Sequence, residues 1–297
     1  MHSKSESQSV FLFIIILCSA CALILAGLAT SLLPYQKKAE EEDLGEQMLI
    51  GSKILSREGY FLVKNSSGNF IPAVFDQEKN ILIPSNTRDK AASSQILTVL
   101  NLRIEPFLVD VKGDLYTFEE KKINYSDYLK MHKKTGYADL DLKLIYKIYS
   151  NTYPEKTTIG YVIPINGFGL WGPLYGYLAI ESDGETVIGT TWYDQVETAG
   201  LGAEIAETEW QEQFYQKSIF LTSQEGSVNF ETSPIGIQVV KGKVSQVYGS
   251  TNRAKSAVDG VSGATITSKG VTNAYRTSLE PYRPFLVKIH KEEKNAS

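Results

Sequence analysis

The sequence predicts an α+β protein, with a single N-terminal transmembrane helix followed by a soluble domain that has a mostly antiparallel sheet and flanking helices. Three observations carry that reading. Val10–Leu33 holds no charged residue. Strand-length segments joined by hairpin turns dominate the middle of the chain. Helical stretches lie among them without the regular β–α alternation of a parallel sheet.

In chain order, residues 1–9 form a polar tail, and 10–33 form the span. Its 24 uncharged residues reach roughly 36 Å as a helix, more than the ~30 Å hydrocarbon core. A cleaved signal would need an apolar region of only about 7–15 residues, so a retained anchor is expected. Lacking an acid or base, the span is no ion path by itself. The charge rule is close to silent on orientation: Lys4 precedes the span while Lys37 and Lys38 follow it, which at most slightly favours an inward C-terminal side.

Residues 34–57 read as a connector or stalk helix, with Leu44, Met48, Leu49 and Leu55 at helical spacing and acidic residues at the start. The soluble domain then occupies 58–297. Its expected strands are Tyr60–Lys64, Phe70–Phe75, Asn80–Pro84, Ile104–Val111 and Leu115–Phe118, then Thr158–Ile165, Leu174–Ile180 and Thr186–Tyr193, and finally Ile235–Val240. Lys112-Gly-Asp114 and Asp183-Gly184 are hairpin turns. Tyr125–Lys133 reads as a helix, Trp210, Phe214 and Tyr215 mark a short amphipathic one, and Ser268 is the expected N-cap of a helix ending before Pro281.

Composition excludes several function classes. Hydrophobic and charged residues make up 42% and 22% of the chain, as in an ordinary folded protein. A net charge of −4 without a basic block argues against binding nucleic acid. Cys18 and Cys21 are the only cysteines, both within the span, and His2, His132 and His290 share no ligand spacing; no metal or thiol centre is expected. Redox chemistry would need an organic cofactor.

Three segments could carry chemistry. Gly167-Phe-Gly-Leu-Trp-Gly172 fits GxGxxG, but Pro173 and a strand-like run follow where a dinucleotide fingerprint needs a helix. It reads instead as a turn, whose Leu170 and Trp171 either offer a surface to a flat ring or plug the core. Glu197-Thr-Ala-Gly-Leu-Gly202 is a second glycine turn that would bring backbone N–H groups close to a ligand. Asp259-Gly-Val-Ser-Gly-Ala-Thr-Ile-Thr-Ser-Lys269 leads hydroxyls and glycines into a helix N-terminus, a phosphate-friendly place to which Lys269 would add charge. The residues alone do not choose between Thr265, Thr267, Ser262 and Ser268.

Asp259-Gly-Val-Ser-Gly-Ala-Thr265 resembles the flavinylation signature of covalent FMN-binding domains, in which a flavin transferase joins the FMN phosphate to the last threonine. Glu197–Gly202 resembles that family's Glu-Thr-Pro-Gly-Leu-Gly run, with Ala199 in place of the proline, and Asn166–Tyr177 looks like a third family block. With its anchor and length, the chain is similar to the C subunits of sodium-translocating NADH:quinone reductases. The G subunits of Rnf electron-transport complexes, or an FMN module outside any pump, are the alternative.

That resemblance implies a non-catalytic electron relay toward quinone inside a multi-subunit oxidoreductase and translocase. It would sit in a bacterial inner membrane with its soluble domain on the periplasmic side. Thr265 would be the covalent FMN-phosphoryl threonine, with Ser262, Gly263, Ala264, Thr267 and Ser268 around it. Leu170, Trp171, Glu197, Thr198, Gly200, Leu201 and Gly202 would complete the cofactor surface. Neither a metal nor a catalytic side chain is implied, and Asp259 is expected to serve recognition by the transferase.

Overall fold

The computed structural model describes residues 3–222 and 228–296; Met1 and His2 of the expected tail lie outside that range, as do 223–227 and 297 of the soluble part. Two compact units divide the chain, Met1–Leu44 and Gly45–Ser297.

The first unit is the larger part of helix α1, Ser3–Gly51. It is long and apolar enough to cross a membrane, with a mean hydropathy of 2.9 over its most apolar window. A separate connector is expected from residue 34, but the helix runs unbroken through Pro34, whose missing N–H removes a single backbone bond. It also ends before Leu55. Lys53 takes a left-handed conformation (φ 52°), and the N–H groups of Ile54 and Leu55 turn back to the Leu49 carbonyl at 2.9 and 3.2 Å, a helix stop of the Schellman kind.

In the second unit, strands β1 (Phe61–Lys64), β2 (Phe70–Asp76) and β3 (Ile81–Pro84) form a small antiparallel sheet in sequence order. Helix α2 (Ser93–Arg103) leads into the principal sheet: β4 (Ile104–Val109), β5 (Leu115–Tyr116), β6 (Lys143–Tyr149), β7 (Thr158–Phe168), β8 (Pro173–Glu181) and β9 (Val187–Asp194). Its spatial order is β5-β4-β6-β7-β8-β9, antiparallel throughout. Helix α3 (Tyr125–His132) lies between β5 and β6 in sequence. After β9 come α4 (Thr208–Glu212), the short parallel pair β10 (Gln238–Val239) and β11 (Ala257–Val258) with α5 (Val244–Val247) between them, and helices α6 (Thr265–Leu279) and α7 (Arg283–Ala296).

The α+β class read from the sequence is the class of this structure, but several elements differ. Strand β6 went unread because it is buried along nearly its whole length, which erases the alternation that marks a half-exposed strand. Helix α2 has Ala92 at its N-cap and so lacks a side-chain cap. Helix α7 follows a stop at Pro281, yet Pro284 sits in its first turn, where no N–H is required. The expected cap Ser268 is interior: α6 begins at Thr265 with Ala264 at the N-cap.

The largest apolar cluster lies on one face of the principal sheet. Ile163, Ile165, Leu174, Leu178 and Ile180 pack there with Val271, Tyr275 and Leu279 of α6 and Phe285, Leu286 and Ile289 of α7. The other face is tyrosine-rich: Tyr177 stacks on Tyr193 and meets Tyr146 edge-on, while the Tyr125 and Tyr146 hydroxyls lie 3.2 Å apart.

Helix α6 runs close along the end of β7. A Cβ at Gly270 would collide with the Phe168 carbonyl, so only glycine allows this approach. The Ser278 hydroxyl donates to the Asn166 carbonyl and accepts from the Asn166 N–H, each at 3.1 Å. This packing puts the N-terminus of α6 beside the β7–β8 turn and the loop after β9.

Candidate functional site

The two strands that frame Gly169–Gly172 are paired from Gly160↔Glu181 to Phe168↔Pro173, so the glycine-rich segment is a hairpin turn, closed by the Gly169 N–H on the Gly172 carbonyl at 2.8 Å. No helix follows it. Trp171 does not plug the core: it is 66% exposed, and Leu170 is 46% exposed. The Trp171 indole N–H donates to the Thr198 hydroxyl at 3.1 Å, joining this turn to the loop after β9.

Glu197 opens that loop and is buried. Its Oε1 accepts the Trp171 backbone N–H at 2.9 Å, and its Oε2 accepts the Thr267 hydroxyl in the first turn of α6. Burial pushes the Glu197 carboxyl up, but the Thr267 hydroxyl and the backbone N–H groups of Trp171, Leu170 and Gly172 outweigh it, holding the group below the ordinary glutamate range. Gly202 lies against the same carboxylate, and a Cβ there would come within 2.6 Å of Glu197 Oε2 and 2.7 Å of Thr267 Oγ1.

The third segment arrives through β11. Asp259 is held on every side: its N–H donates to Gln213 Oε1 at 2.9 Å, its carbonyl accepts Trp210 Nε1 at 2.9 Å, and its Oδ1 accepts the Val244 N–H at 2.7 Å. The carboxylate expected to serve a transferase therefore caps the start of α5. Beyond Asp259 the chain is exposed at Ser262 and Gly263, which has φ 75°. Thr265 is exposed as the first residue of α6, whose N-cap Ala264 supplies no side-chain acceptor. The first backbone N–H groups of α6 are thus available to an anion.

A cavity of about 240 Å³ unites the three segments, lined by Leu170, Trp171, Glu197, Thr198, Leu201, Gly202, Gly263, Ala264, Thr265, Ile266 and Thr267. Pockets that enclose a drug-sized ligand run from ~300 to 1,000 Å³, so this one takes part of such a molecule and leaves the rest outside. Its rim is apolar: Leu201 is 44% exposed and Ile266 57%. Sequence reasoning missed Ile266, although an apolar residue off the buried stripe of Thr267, Val271, Ala274 and Tyr275 was the available signal. Ser262 and Gly200 face a different groove, beside Glu204, Glu207, Glu209 and Trp210. Ser268 is buried, with its hydroxyl 3.4 Å from the Val261 N–H.

A family profile described as the FMN-binding domain matches residues 169–280, from the hairpin turn to just past α6. Over 309 aligned residues the chain is 38% identical to the C subunit of the Na(+)-translocating NADH-quinone reductase of Chlamydia caviae, covering 99% of this chain and 97% of the relative. The chain belongs to the C-subunit family of Na(+)-translocating NADH-quinone reductases. The C subunit of Pasteurella multocida is 28% identical over 97% of this chain and 96% of its own length. The crystal structure of the C subunit from Parabacteroides distasonis is similar with a TM-score of 0.51 and 27% identity, covering 85% of this chain and 95% of that one. The FMN-binding match thus falls on the three segments that meet at the cavity.

Proposed function

We propose that this chain is the electron-relay subunit of a membrane-bound, sodium-pumping NADH:quinone oxidoreductase, carrying FMN esterified through its phosphate to Thr265. One observation carries the reading: Thr265, exposed, is the first residue of a helix whose N-cap offers no side-chain acceptor, and it lines the cavity together with the turn at Leu170–Trp171 and the loop at Thr198–Gly202.

The residues fit the group. Thr265 would hold the group as a phosphoester through its Oγ1, the hydroxyl losing its proton as the phosphorus of a flavin-nucleotide donor exchanges its leaving group for that oxygen, with one phosphorus–oxygen bond broken for the one formed. The N–H groups of the first turn of α6 would meet the remaining negative charge, worth roughly 0.3–1 kcal/mol and minor beside the covalent bond. Leu170, Trp171, Leu201 and Ile266 offer apolar surface to a flat ring. When bound, the flavin supplies the electron-transfer chemistry, and the chain orients it and tunes its surroundings. Helix α1 anchors the protein in the bacterial inner membrane, with the soluble unit on the periplasmic side. A flavin transferase meets the chain during maturation, and other subunits meet it in the complex.

The test is a peptide mass map of residues 258–269 from native membranes. The expected result is Thr265 heavier by FMN less one water, with Thr265→Ala abolishing flavin fluorescence that survives denaturation. An unmodified Thr265, or a label that persists in Thr265→Ala, overturns the assignment.

A further inference from the structure

We propose that Glu197 is a positioning residue for Thr265: its buried carboxylate brackets the Gly169–Gly172 turn to the first turn of α6, and so fixes the attachment threonine relative to Trp171. This rests on the reading of Thr265 as the attachment point.

Glu197 is 8% exposed, and both its oxygens are taken by the chain's own donors, the Trp171 N–H on Oε1 and the Thr267 hydroxyl on Oε2. No Lys or Arg pairs with it among the described residues. A carboxylate withdrawn from water is expensive unless hydrogen bonds replace its hydration. Its replacement donors come from two separate elements, so they satisfy it only when turn and helix stand at one separation.

The surroundings are shaped for the group. A Cβ at Gly169 would come within 2.5 Å of Glu197 Oε1, and one at Gly202 within 2.6 Å of Oε2, so glycines on both sides leave the slot that the carboxylate fills. Glu197 is bonded to Thr267 rather than to Thr265, two residues away, which makes it a bracket and not a base for the Thr265 hydroxyl. The bracket also reaches Trp171 twice, directly at its backbone and through Thr198 at its indole.

Side-chain length and chemistry then give an ordered expectation. In Glu197→Gln the amide oxygen still faces the turn, and the amide nitrogen donates to the Thr267 hydroxyl, which reverses its role. Glu197→Asp is one methylene too short to serve both elements, and Glu197→Ala serves neither.

The full chain, co-expressed with a flavin transferase and purified from membranes, is read for denaturation-stable flavin per chain. The same variants made without the transferase are read for Trp171 emission, taken as the difference from Trp171→Phe. Glu197→Gln is expected to keep a third or more of the label, while Asp and Ala lose about tenfold or more, because misplacing a reacting atom by an ångström costs up to ~100-fold. Trp171 emission shifts to the red in Asp and Ala only.

Thr267→Val cuts the bracket from the helix side at nearly constant volume, and should lower the label as Ala does, with Thr267→Ser restoring it. This pair decides the matter if Glu197→Ala does not fold. Equal label and emission across the Glu197 series overturn the proposal, as does loss in Gln equal to that in Ala. A wild-type chain without denaturation-stable flavin overturns the attachment reading instead, and the Trp171 emission series still decides the bracket.

Discussion

Two loops border the cavity and are secured in opposite ways. Glu197–Gly202 holds itself down with its own first side chain, whose carboxylate reaches under the neighbouring turn and into α6. Val258–Thr265 is held by others and mostly near its root, where Trp210, Gln213 and Val244 all bond to Asp259 and the Gly260 N–H reaches the Gly242 carbonyl, with a longer contact from the Val261 N–H to the Ser268 hydroxyl beyond it. From there to Thr265 the chain rises into solvent at Ser262 and Gly263. The contrast separates two tasks. A platform that orients a ring needs a fixed floor, whereas a hydroxyl that another enzyme must reach needs a fixed root and an open tip.

Alanine at a glycine of each loop tests that contrast most sharply. In Gly202→Ala the new methyl meets two buried oxygens that have nowhere to go, at 2.6 and 2.7 Å. Overpacking of this kind costs about 1–3 kcal/mol, and denaturation-stable flavin should fall with it. Gly263→Ala meets only Leu201 Cδ2, at 2.8 Å, a half-exposed side chain that can turn aside. Its cost is the left-handed backbone, about 1–2 kcal/mol, with the label partly kept. Thermal unfolding beside in-gel flavin fluorescence compares the two, and equal loss of label at both glycines would dissolve the distinction between floor and tip.

The root of the second loop is tested next. Trp210→Phe removes the indole N–H that reaches the Asp259 carbonyl at 2.9 Å, leaving a part-buried acceptor unpaired for about 1–3 kcal/mol. Unfolding should move accordingly, with less effect on the label than Gly202→Ala, because the tip keeps its exposure. A label lost as completely as in Gly202→Ala would place the root and the floor on the same footing.

In acid, the difference between wild type and Glu197→Gln probes the floor alone. The Glu197 carboxyl titrates below the ordinary glutamate range in the folded chain, so folding binds fewer protons there than the unfolded chain does. Its contribution is full above the unfolded value of about 4.3 and is lost as pH falls through the depressed folded value. Wild type should therefore lose more stability than Glu197→Gln on acidification from about pH 5 to 3, measured as melting temperature against pH. Parallel curves would show that the carboxylate's charge adds nothing.

The legible part of this molecule was the part with a local signature. Hairpin turns, the uncharged span and strands such as β7 and β8 announce themselves within a few residues. Strand β6 did not, since Leu144, Ile145, Tyr146 and Ile148 are all buried and the two-residue period vanishes. Helix α7 hid behind Pro281. At the site, the three glycine-bearing segments could each be picked out, but their convergence depends on α6 lying against β7 through Gly270 and Ser278, which no local pattern encodes. Glu197 could be read as a loop residue, yet its donors lie 26 and 70 positions away. Ser268 looked like a cap because a hydroxyl before a helical stripe usually is one, whereas the helix here begins three residues earlier, without a cap.

The smallest effect is expected at Asp259, where the two accounts of that carboxylate part. Expected from the sequence to serve a transferase, Asp259 is seen to use Oδ1 as the acceptor for the Val244 N–H at 2.7 Å. Asparagine keeps that oxygen. Asp259→Asn should therefore lie within about 0.5 kcal/mol of wild type in stability, with near-normal flavin incorporation. Asp259→Ala leaves the Val244 N–H without its acceptor and loosens the root, as Trp210→Phe does from the other side. If Asp259→Asn instead melts like wild type but fails to acquire flavin on co-expression, the charge is being read from outside, and the root of this loop serves recognition as well as support.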